Sequence, residues 1–138
     1  MTPIEIASCI ILDDYGRLLL LHANLGGTYW DLPGGVVDED EAPEMAVLKT
    51  VSEQLAVEIT LVGSLGSELI EEDDAAYQYH WYQAVISRGQ PNIAYSDTFD
   101  DLDYFELEDM PSLALSHNML TLYPKIYSGE ISIDSSLS

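Results

Sequence analysis

Residues 30–57 contain the side chains of this chain that are best suited to chemistry. A strand-like apolar segment runs into a Pro-Gly-Gly turn, acidic residues occupy positions 38–41, and Pro43 then suits the first turn of a helix. Strand, turn, acidic loop and helix in this order would bring backbone carbonyls and carboxylates to one place. Hard divalent cations bind at oxygen-rich sites of that kind.

The predicted helix would present two faces. Its apolar residues recur at intervals of three and four and predict a stripe that faces the core: Met45, Leu48, Val51 and Leu55. Lys49 and Glu53 lie one turn apart on another face, with Thr50 and Gln54 beside them. Glu41, just before the helix, could fold back toward this second face. A carboxylate-based site is therefore expected there.

This stretch resembles the Nudix box, the signature of the Nudix hydrolases. The family pattern is a glycine, five residues, a glutamate, seven residues, and then Arg-Glu-apolar-any-Glu-Glu-any-Gly-apolar. Without a gap, Gly35 takes the glycine position, and Glu41 and Glu53 match two of the glutamates. Val51 and Val57 fit the apolar positions, and the Leu-Pro-Gly-Gly sequence that leads into the box is also typical of the family.

Four positions depart from the family pattern. Lys49 stands in place of the arginine, which keeps the positive charge but loses the planar guanidinium fork. Thr50 and Gln54 stand in place of two glutamates, so two negative charges are missing from a site where magnesium binding depends on charged oxygens. Ala56 replaces the last glycine.

The resemblance implies a reaction and a set of site residues. In the family, water attacks a phosphorus of a nucleoside diphosphate linked to another group, while magnesium or manganese neutralises charge. The implied catalytic residues are Glu53, Glu41 and Lys49. A backbone carbonyl of Gly34 or Gly35 could supply one further oxygen. The implied metal-binding residues are Gly35, Glu41, Glu53, Gln54, Asp97, Asp100 and Asp101.

Three aromatic residues are candidates for substrate binding: Tyr29, Trp30 and Tyr82. Their rings could stack on a base or on another flat group of a small nucleotide-like substrate. The alternative for each is a half-buried position on a strand face. The three histidines lack metal-ligand spacing and are expected to make structural hydrogen bonds.

The order of predicted elements indicates an α/β fold. Strands are expected near residues 4–12, 17–22, 29–32, 59–70, 77–86 and 103–107. The Nudix helix is expected at about 43–55, and a C-terminal helix at about 113–123, which Pro124 would stop or kink. An acidic loop is expected over 88–101. This pattern fits the αβα sandwich with a mixed β-sheet that the Nudix resemblance implies.

Residues 1–138 are predicted to form a single domain. Its ordered core is expected over about 4–127, and the tail at 128–138 lacks core-forming periodicity and is expected to fray. The lone Cys9 lies in an apolar strand-like segment, so it is predicted to be a small core residue.

The composition narrows the class of protein further. Twenty-five acidic and four basic side chains give a net charge of −21, which excludes bulk nucleic acid as a partner because no basic patch can form. An apolar fraction of 47% is too high for a disordered chain. No apolar run approaches the length of a membrane span, so the sequence predicts a cytoplasmic protein.

Two functional hypotheses follow. The first is a divergent Nudix hydrolase that uses Glu53, Glu41 and a loop acid with magnesium or manganese. The alternative is a non-catalytic Nudix-fold module that binds a nucleotide-like ligand or a protein partner, because Thr50 and Gln54 replace two carboxylates. The resemblance also leaves a homodimer open.

Overall fold

The computed structural model describes residues 2–24, 28–72, 74–93 and 98–134. This part of the chain forms seven β-strands, two α-helices and one 3-10 helix. The strands are β1 (Ile4–Ile11), β2 (Leu18–Ala23), β3 (Tyr29–Asp31), β4 (Gly34–Val36), β5 (Glu58–Glu72), β6 (Ala75–Arg88) and β7 (Phe99–Phe105). The helices are α1 (Pro43–Leu55), the 3-10 helix (Leu107–Ser112) and α2 (His117–Tyr127). No helix among the described residues is both long enough and apolar enough to cross a bilayer.

The strands form two sheets. The first has the order β4-β1-β6-β5, and the second has the order β3-β2-β7. In the first sheet β1 runs parallel to β6, whereas β4 and β5 pair antiparallel with their neighbours. Both pairings in the second sheet are antiparallel. The predicted mixed sheet is therefore confirmed.

Two hydrophobic clusters join the sheets to the helices. The first contains residues of α1, and the second contains residues of α2. Neighbouring residues of β1 enter different clusters, Cys9 the first and Ile10 the second, because successive side chains of a strand point to opposite faces. Burial raises the pKa of the Cys9 thiol to about 12, which fits a core residue. Helices on both sides of the sheets make the αβα sandwich that the sequence predicts.

Helix α1 has the predicted bounds but a different buried face. Its buried residues are Ala46, Val47, Val51 and Leu55. Met45, which the periodicity placed in the core stripe, is 60% exposed, and Leu48 is only partly buried. The small Ala46 side chain is buried in the same cluster as Ala7 of β1, so the helix turns this side to the sheet.

The C-terminal helix runs from His117 to Tyr127 instead of about 113–123. It begins later because the preceding segment is bound to β3: the Trp30 N–H donates to the Ala114 carbonyl at 2.8 Å. Ser116 then caps the helix, accepting from the Met119 N–H. Pro124 lies inside the helix without ending it.

The proline is tolerated because of where the missing hydrogen bond falls. Pro124 has no N–H to donate to the carbonyl of Leu120, four residues earlier. The Leu120 side chain is 52% exposed, so this side of α2 faces solvent and water can satisfy that carbonyl.

The segment after α2 packs on the core, which differs from the expected fraying for residues 128–134. Ile131 and Ile133 contact the second cluster. The buried Gln83 of β6 donates from Nε2 to the Asp134 carbonyl at 2.9 Å, and its Oε1 accepts from the Asp134 N–H at 2.9 Å. One amide side chain thus fastens the segment by two hydrogen bonds.

Replacing Gln83 by alanine should lower the free energy of unfolding by about 2 kcal/mol, because two hydrogen bonds are lost at a buried position. Urea unfolding followed by circular dichroism would measure the change. Gln90→Ala, at an exposed position just after β6, is the matched control and should change it little. Equal losses in both variants would contradict a fastening role for Gln83.

Candidate functional site

The box is assembled where β4 lies against β1. Gly34 pairs with Ser8, and a Cβ added at Gly34 would lie 2.3 Å from the Ala7 carbonyl oxygen and 2.6 Å from the Ser8 Cα. Those contacts are with backbone atoms that cannot move aside. Only glycine fits, and its φ of 153° is one that glycine adopts readily.

Gln54 of α1 holds the same glycine from the other side. The Gly34 N–H donates to Oε1 of Gln54 at 3.0 Å, and Nε2 of Gln54 donates to the Gly34 carbonyl at 2.8 Å. Both backbone polar groups of one residue, Gly34, are therefore paired with one side-chain amide. We call this arrangement the Gln54–Gly34 pair.

The other polar residues of the box, on α1 and in the loop before it, have different surroundings. A Cβ placed on Gly35 would lie 3.2 Å from the Thr50 methyl carbon, so Thr50 turns an apolar group toward β4. Lys49 and Glu53 are exposed on the helix surface. Glu41 folds back within its own loop, where Oε1 accepts from the Asp38 N–H at 3.3 Å.

The described residues do not fit a divalent cation at the box. The Gly34 carbonyl accepts from the Gln54 amide, Glu41 is bonded to the Asp38 N–H, and Glu53 is exposed on the helix surface. In the described parts of the chain, no group of three or more His, Cys, Asp or Glu side chains is placed to hold a metal ion. Asp97, one of the predicted ligands, lies outside the described residues.

Asp100 and Asp101 lie on β7, which begins at Phe99 inside the segment expected to be a loop. Asp100 Oδ1 lies 2.6 Å from Nδ1 of His22, and this hydrogen bond lowers the pKa of the Asp100 carboxyl. Trp30 lies beside the same histidine, with ring centroids 4.9 Å apart. A groove of about 430 Å³ is lined by these four side chains. Predicted metal and substrate residues thus meet here, around a histidine expected to be structural.

Tyr82 lies under α1 in the first hydrophobic cluster and is 9% exposed. Its hydroxyl donates to Glu44 at 3.2 Å. Burial first, and the Glu44 carboxylate second, raise the pKa of Tyr82 to about 12. The structure therefore places Tyr82 in the core, apart from Tyr29 and Trp30.

Tyr29 lines a larger cleft of about 610 Å³ between β3, the first sheet and the start of α2. Trp30 does not line it, because successive residues of a strand point to opposite sides. The cleft is lined by Ile6, Tyr29, Asp31, Tyr77, Tyr79, Leu115, Ser116, His117 and Asn118. The rings of Tyr77 and Tyr79 stack with an interplanar angle of 11°, and Tyr79 stacks in the same way on Trp81.

Asp31 is the acidic group of this cleft. Its Oδ1 accepts from the Ser116 hydroxyl at 2.7 Å and from the Leu32 N–H at 2.8 Å. Burial raises the pKa of Asp31 to about 6, although these hydrogen bonds oppose the shift. Near neutral pH the cleft therefore holds a carboxyl group that can gain or lose a proton.

Asn118 connects the cleft to the box. Its Oδ1 accepts from the Trp81 indole N–H at 2.7 Å, and its Nδ2 donates to the Ser8 hydroxyl at 3.0 Å. Ser8 is the register partner of Gly34. A ligand in the cleft would therefore lie one strand away from the Gln54–Gly34 pair.

Sequence reasoning missed Asp31, Ser116 and Asn118. A serine just before a helical segment is a recognisable cap signal, and it would have placed Ser116 at the start of α2. No comparable signal exists for Asp31, whose pKa is raised by burial in the folded chain and whose Ser116 partner lies 85 positions away.

Fold and box together define the class of protein. Residues 2–126, most of the chain, match the family described as NUDIX domain. The chain therefore belongs to the NUDIX family, whose hydrolases generally use divalent metals such as magnesium or manganese.

Known relatives show how far the likeness extends. An 8-oxo-dGTP diphosphatase of Proteus vulgaris is 30% identical over 61 residues, which cover 41% of this chain and 54%, about half, of that protein's length. A MutT NUDIX hydrolase from Burkholderia pseudomallei has a TM-score of 0.80 and 25% identity, covering 91% of this chain and 99% of that one. The NUDIX domain of Shewanella oneidensis NrtR, complexed with ADP ribose, has a TM-score of 0.69 and 21% identity. The match covers 94% of this chain and 90% of that chain. At that identity the last likeness shows the fold alone.

Replacing Asp31 by asparagine should remove a pH-dependent loss of stability. The pKa of Asp31 is about 6 in the folded chain against 3.8 as the ordinary value, so the folded state holds this proton more tightly. The contribution of Asp31 to the free energy of unfolding is fully present below about pH 4 and is lost as the pH rises through about 6. Asparagine keeps the Oδ1 acceptor without the charge. The free energy of unfolding of the variant should therefore exceed that of the parent by up to about 3 kcal/mol at pH 7.

Unfolding by urea at a series of pH values would measure this difference. Asp40→Asn, at an exposed position in the acidic loop, is the matched control and should track the parent at every pH. Parallel pH curves for the parent and Asp31→Asn would show that Asp31 has an ordinary pKa.

Proposed function

We propose that this protein binds a nucleotide-like small molecule, a nucleoside diphosphate linked to another group, in the cleft lined by Tyr29. The volume of about 610 Å³ lies within the range of about 300–1,000 Å³ usual for small-molecule sites. Tyr29 and Tyr77, which are both partly exposed, offer flat faces to a base, and Asp31 and Ser116 offer hydrogen-bonding groups. This combination suits a flat heterocycle with polar edges.

The position of the cleft beside the box carries the proposal. Asn118 links the cleft to Ser8, and Ser8 lies against Gly34. We therefore propose that a base in the cleft directs its diphosphate along β4 toward α1. Lys49 is exposed on that helix and can offer a positive charge to a phosphate. Arg17 and Lys125, by contrast, are engaged in ion pairs with carboxylates elsewhere.

The relatives support the same ligand class. The Proteus relative is an 8-oxo-dGTP diphosphatase, and the Shewanella domain was solved with ADP ribose. Both ligands are purine nucleotides with linked phosphates. Shared ligand chemistry among relatives that share this fold favours a nucleotide-like ligand here.

Binding of ADP ribose and of 8-oxo-dGTP, measured by isothermal titration calorimetry, tests the proposal. Tyr29→Ala should weaken the affinity by about 5- to 150-fold, since stacking on one aromatic ring contributes about 1–3 kcal/mol. Tyr15→Ala, at a site that is 81% exposed on the β1–β2 turn, is the matched control and should leave affinity unchanged. Failure of a broad nucleotide panel to bind, or equal effects of the two variants, would refute the cleft as the site.

A second candidate is a divergent Nudix hydrolase that uses magnesium or manganese. Glu53 favours it, because this glutamate keeps its register in the box and exposes its side chain one turn from Lys49 on α1. In this case Glu53, Glu41 and an acid such as Asp97, Asp100 or Asp101 would take part in hydrolysis.

Turnover of the same nucleotides with added manganese distinguishes the two candidates. A divergent hydrolase predicts phosphate release that Glu53→Gln reduces by at least about a hundredfold, because that glutamate is the remaining box carboxylate on the helix. If the parent and Glu53→Gln bind the nucleotides with equal affinity and neither releases phosphate, the non-catalytic candidate is supported. A cytoplasmic location and a homodimer stay predictions.

A further inference from the structure

The Gln54–Gly34 pair has only one orientation of its amide that satisfies both hydrogen bonds. The side-chain oxygen must face the Gly34 N–H at 3.0 Å, and the side-chain nitrogen must face the Gly34 carbonyl at 2.8 Å. If the amide were reversed, its N–H₂ group would face the Gly34 N–H and its oxygen would face the Gly34 carbonyl oxygen, so neither hydrogen bond could form. The nitrogen is therefore fixed beside the carbonyl oxygen.

A carboxylate at position 54 would change the chemistry of this contact. Its second oxygen would face the Gly34 carbonyl oxygen at the distance of 2.8 Å now taken by nitrogen. Two acceptors so close repel each other unless a cation or a proton lies between them. Oxygens that share a magnesium ion at about 2.1 Å each lie about 3 Å apart, so this spacing is one that a bridging cation accommodates.

Among the described residues, neither Thr50 nor Glu41 offers the Gln54–Gly34 pair a ligand for a cation. Thr50 turns its methyl group to β4, and Glu41 is bonded to the loop backbone at Asp38. Gln54 is only partly exposed, so the two hydrogen bonds lie at the junction of β4 and α1, partly shielded from water. Breaking them to admit a metal ion would leave an amide N–H₂ pointing at that ion.

We propose that the Gln54 amide group takes the structural place of a divalent cation and joins β4 to α1 without metal. This box is then a closed, cation-independent variant of the family's metal site. The substitution of one oxygen by N–H₂ converts a contact that requires a cation into one that is complete by itself.

Gln54→Glu provides the test. In EDTA the variant should melt about 5 °C below the parent, because a carboxylate oxygen then opposes the Gly34 carbonyl oxygen. Manganese chloride should restore most of that loss and should bind the variant at least about tenfold more tightly than the parent. The parent should melt at the same temperature in EDTA and in manganese. Thr50→Glu with Gln54→Glu should bind manganese more tightly still.

Gln90→Glu is the matched control, because it adds the same charge at an exposed position. With 25 acidic residues, the chain will collect some manganese non-specifically, and this control measures that background in the same salt. Manganese binding by Gln54→Glu that merely equals the Gln90→Glu background would overturn the proposal.

The parent protein provides an independent test that needs no variant at position 54 to fold. Titration of the parent with manganese alone should show only the background seen with Gln90→Glu. Saturable binding that Glu53→Gln abolishes would show that the parent retains a metal site, and the amide would then not replace the cation. Gln54→Leu, which removes both hydrogen bonds without adding an oxygen, should lose stability that manganese cannot restore.

Discussion

The contact between Gly34 and the backbone of β1 determines how the parts of this protein meet. A side chain at this position would penetrate the Ala7 carbonyl and the Ser8 backbone, so β4 can approach β1 only through a glycine. On its other side Gly34 is hydrogen-bonded by Gln54, and α1 is thereby fixed against the same strand. Ser8, pressed on this glycine, is in turn bonded to Asn118 at the start of α2. Both helices are therefore hydrogen-bonded to the first sheet at the point where Gly34 allows β4 to approach β1.

Much of the fold could be predicted because its signals are local. The box spacing and Pro43 placed α1 at its observed bounds, and apolar runs placed β1 and β2. The predicted bounds were wrong where hydrogen bonds to residues distant in sequence outweighed the local periodicity. Residues expected to begin α2 instead pair with Trp30 of β3, so the helix begins only after the cap at Ser116. The final segment lacks periodicity of its own, yet it is held by Gln83, 51 residues away.

The candidate site was less predictable for the same reason. Residue type alone groups Tyr29 with Trp30, although strand alternation separates them, and the structure places them in different recesses. Tyr82 shows the limit of counting aromatic residues, because its neighbours across the sheet decide whether it is core or surface. The pairing of Gln54 with Gly34 spans 20 positions and could not be inferred from the type of either residue. From sequence, glutamine at this position indicated a missing charge and an uncharged metal-binding group, not a hydrogen-bonding partner for Gly34.

The Gln54–Gly34 pair also bears on which ligands the acidic chain can hold. At a net charge of −21, a phosphate group approaches a repulsive field, and a bridging cation would normally offset it. If an amide occupies the place of that cation, the remaining positive charge near the box is Lys49, an exposed side chain whose attraction is screened by solvent. Binding energy must then come mainly from the uncharged end of the ligand, where Tyr29, Tyr77 and Asp31 line the cleft. For the nucleotide-like ligand proposed above, we expect two linked phosphates to be favoured over three, since each added negative charge raises the repulsion without a counter-charge to meet it.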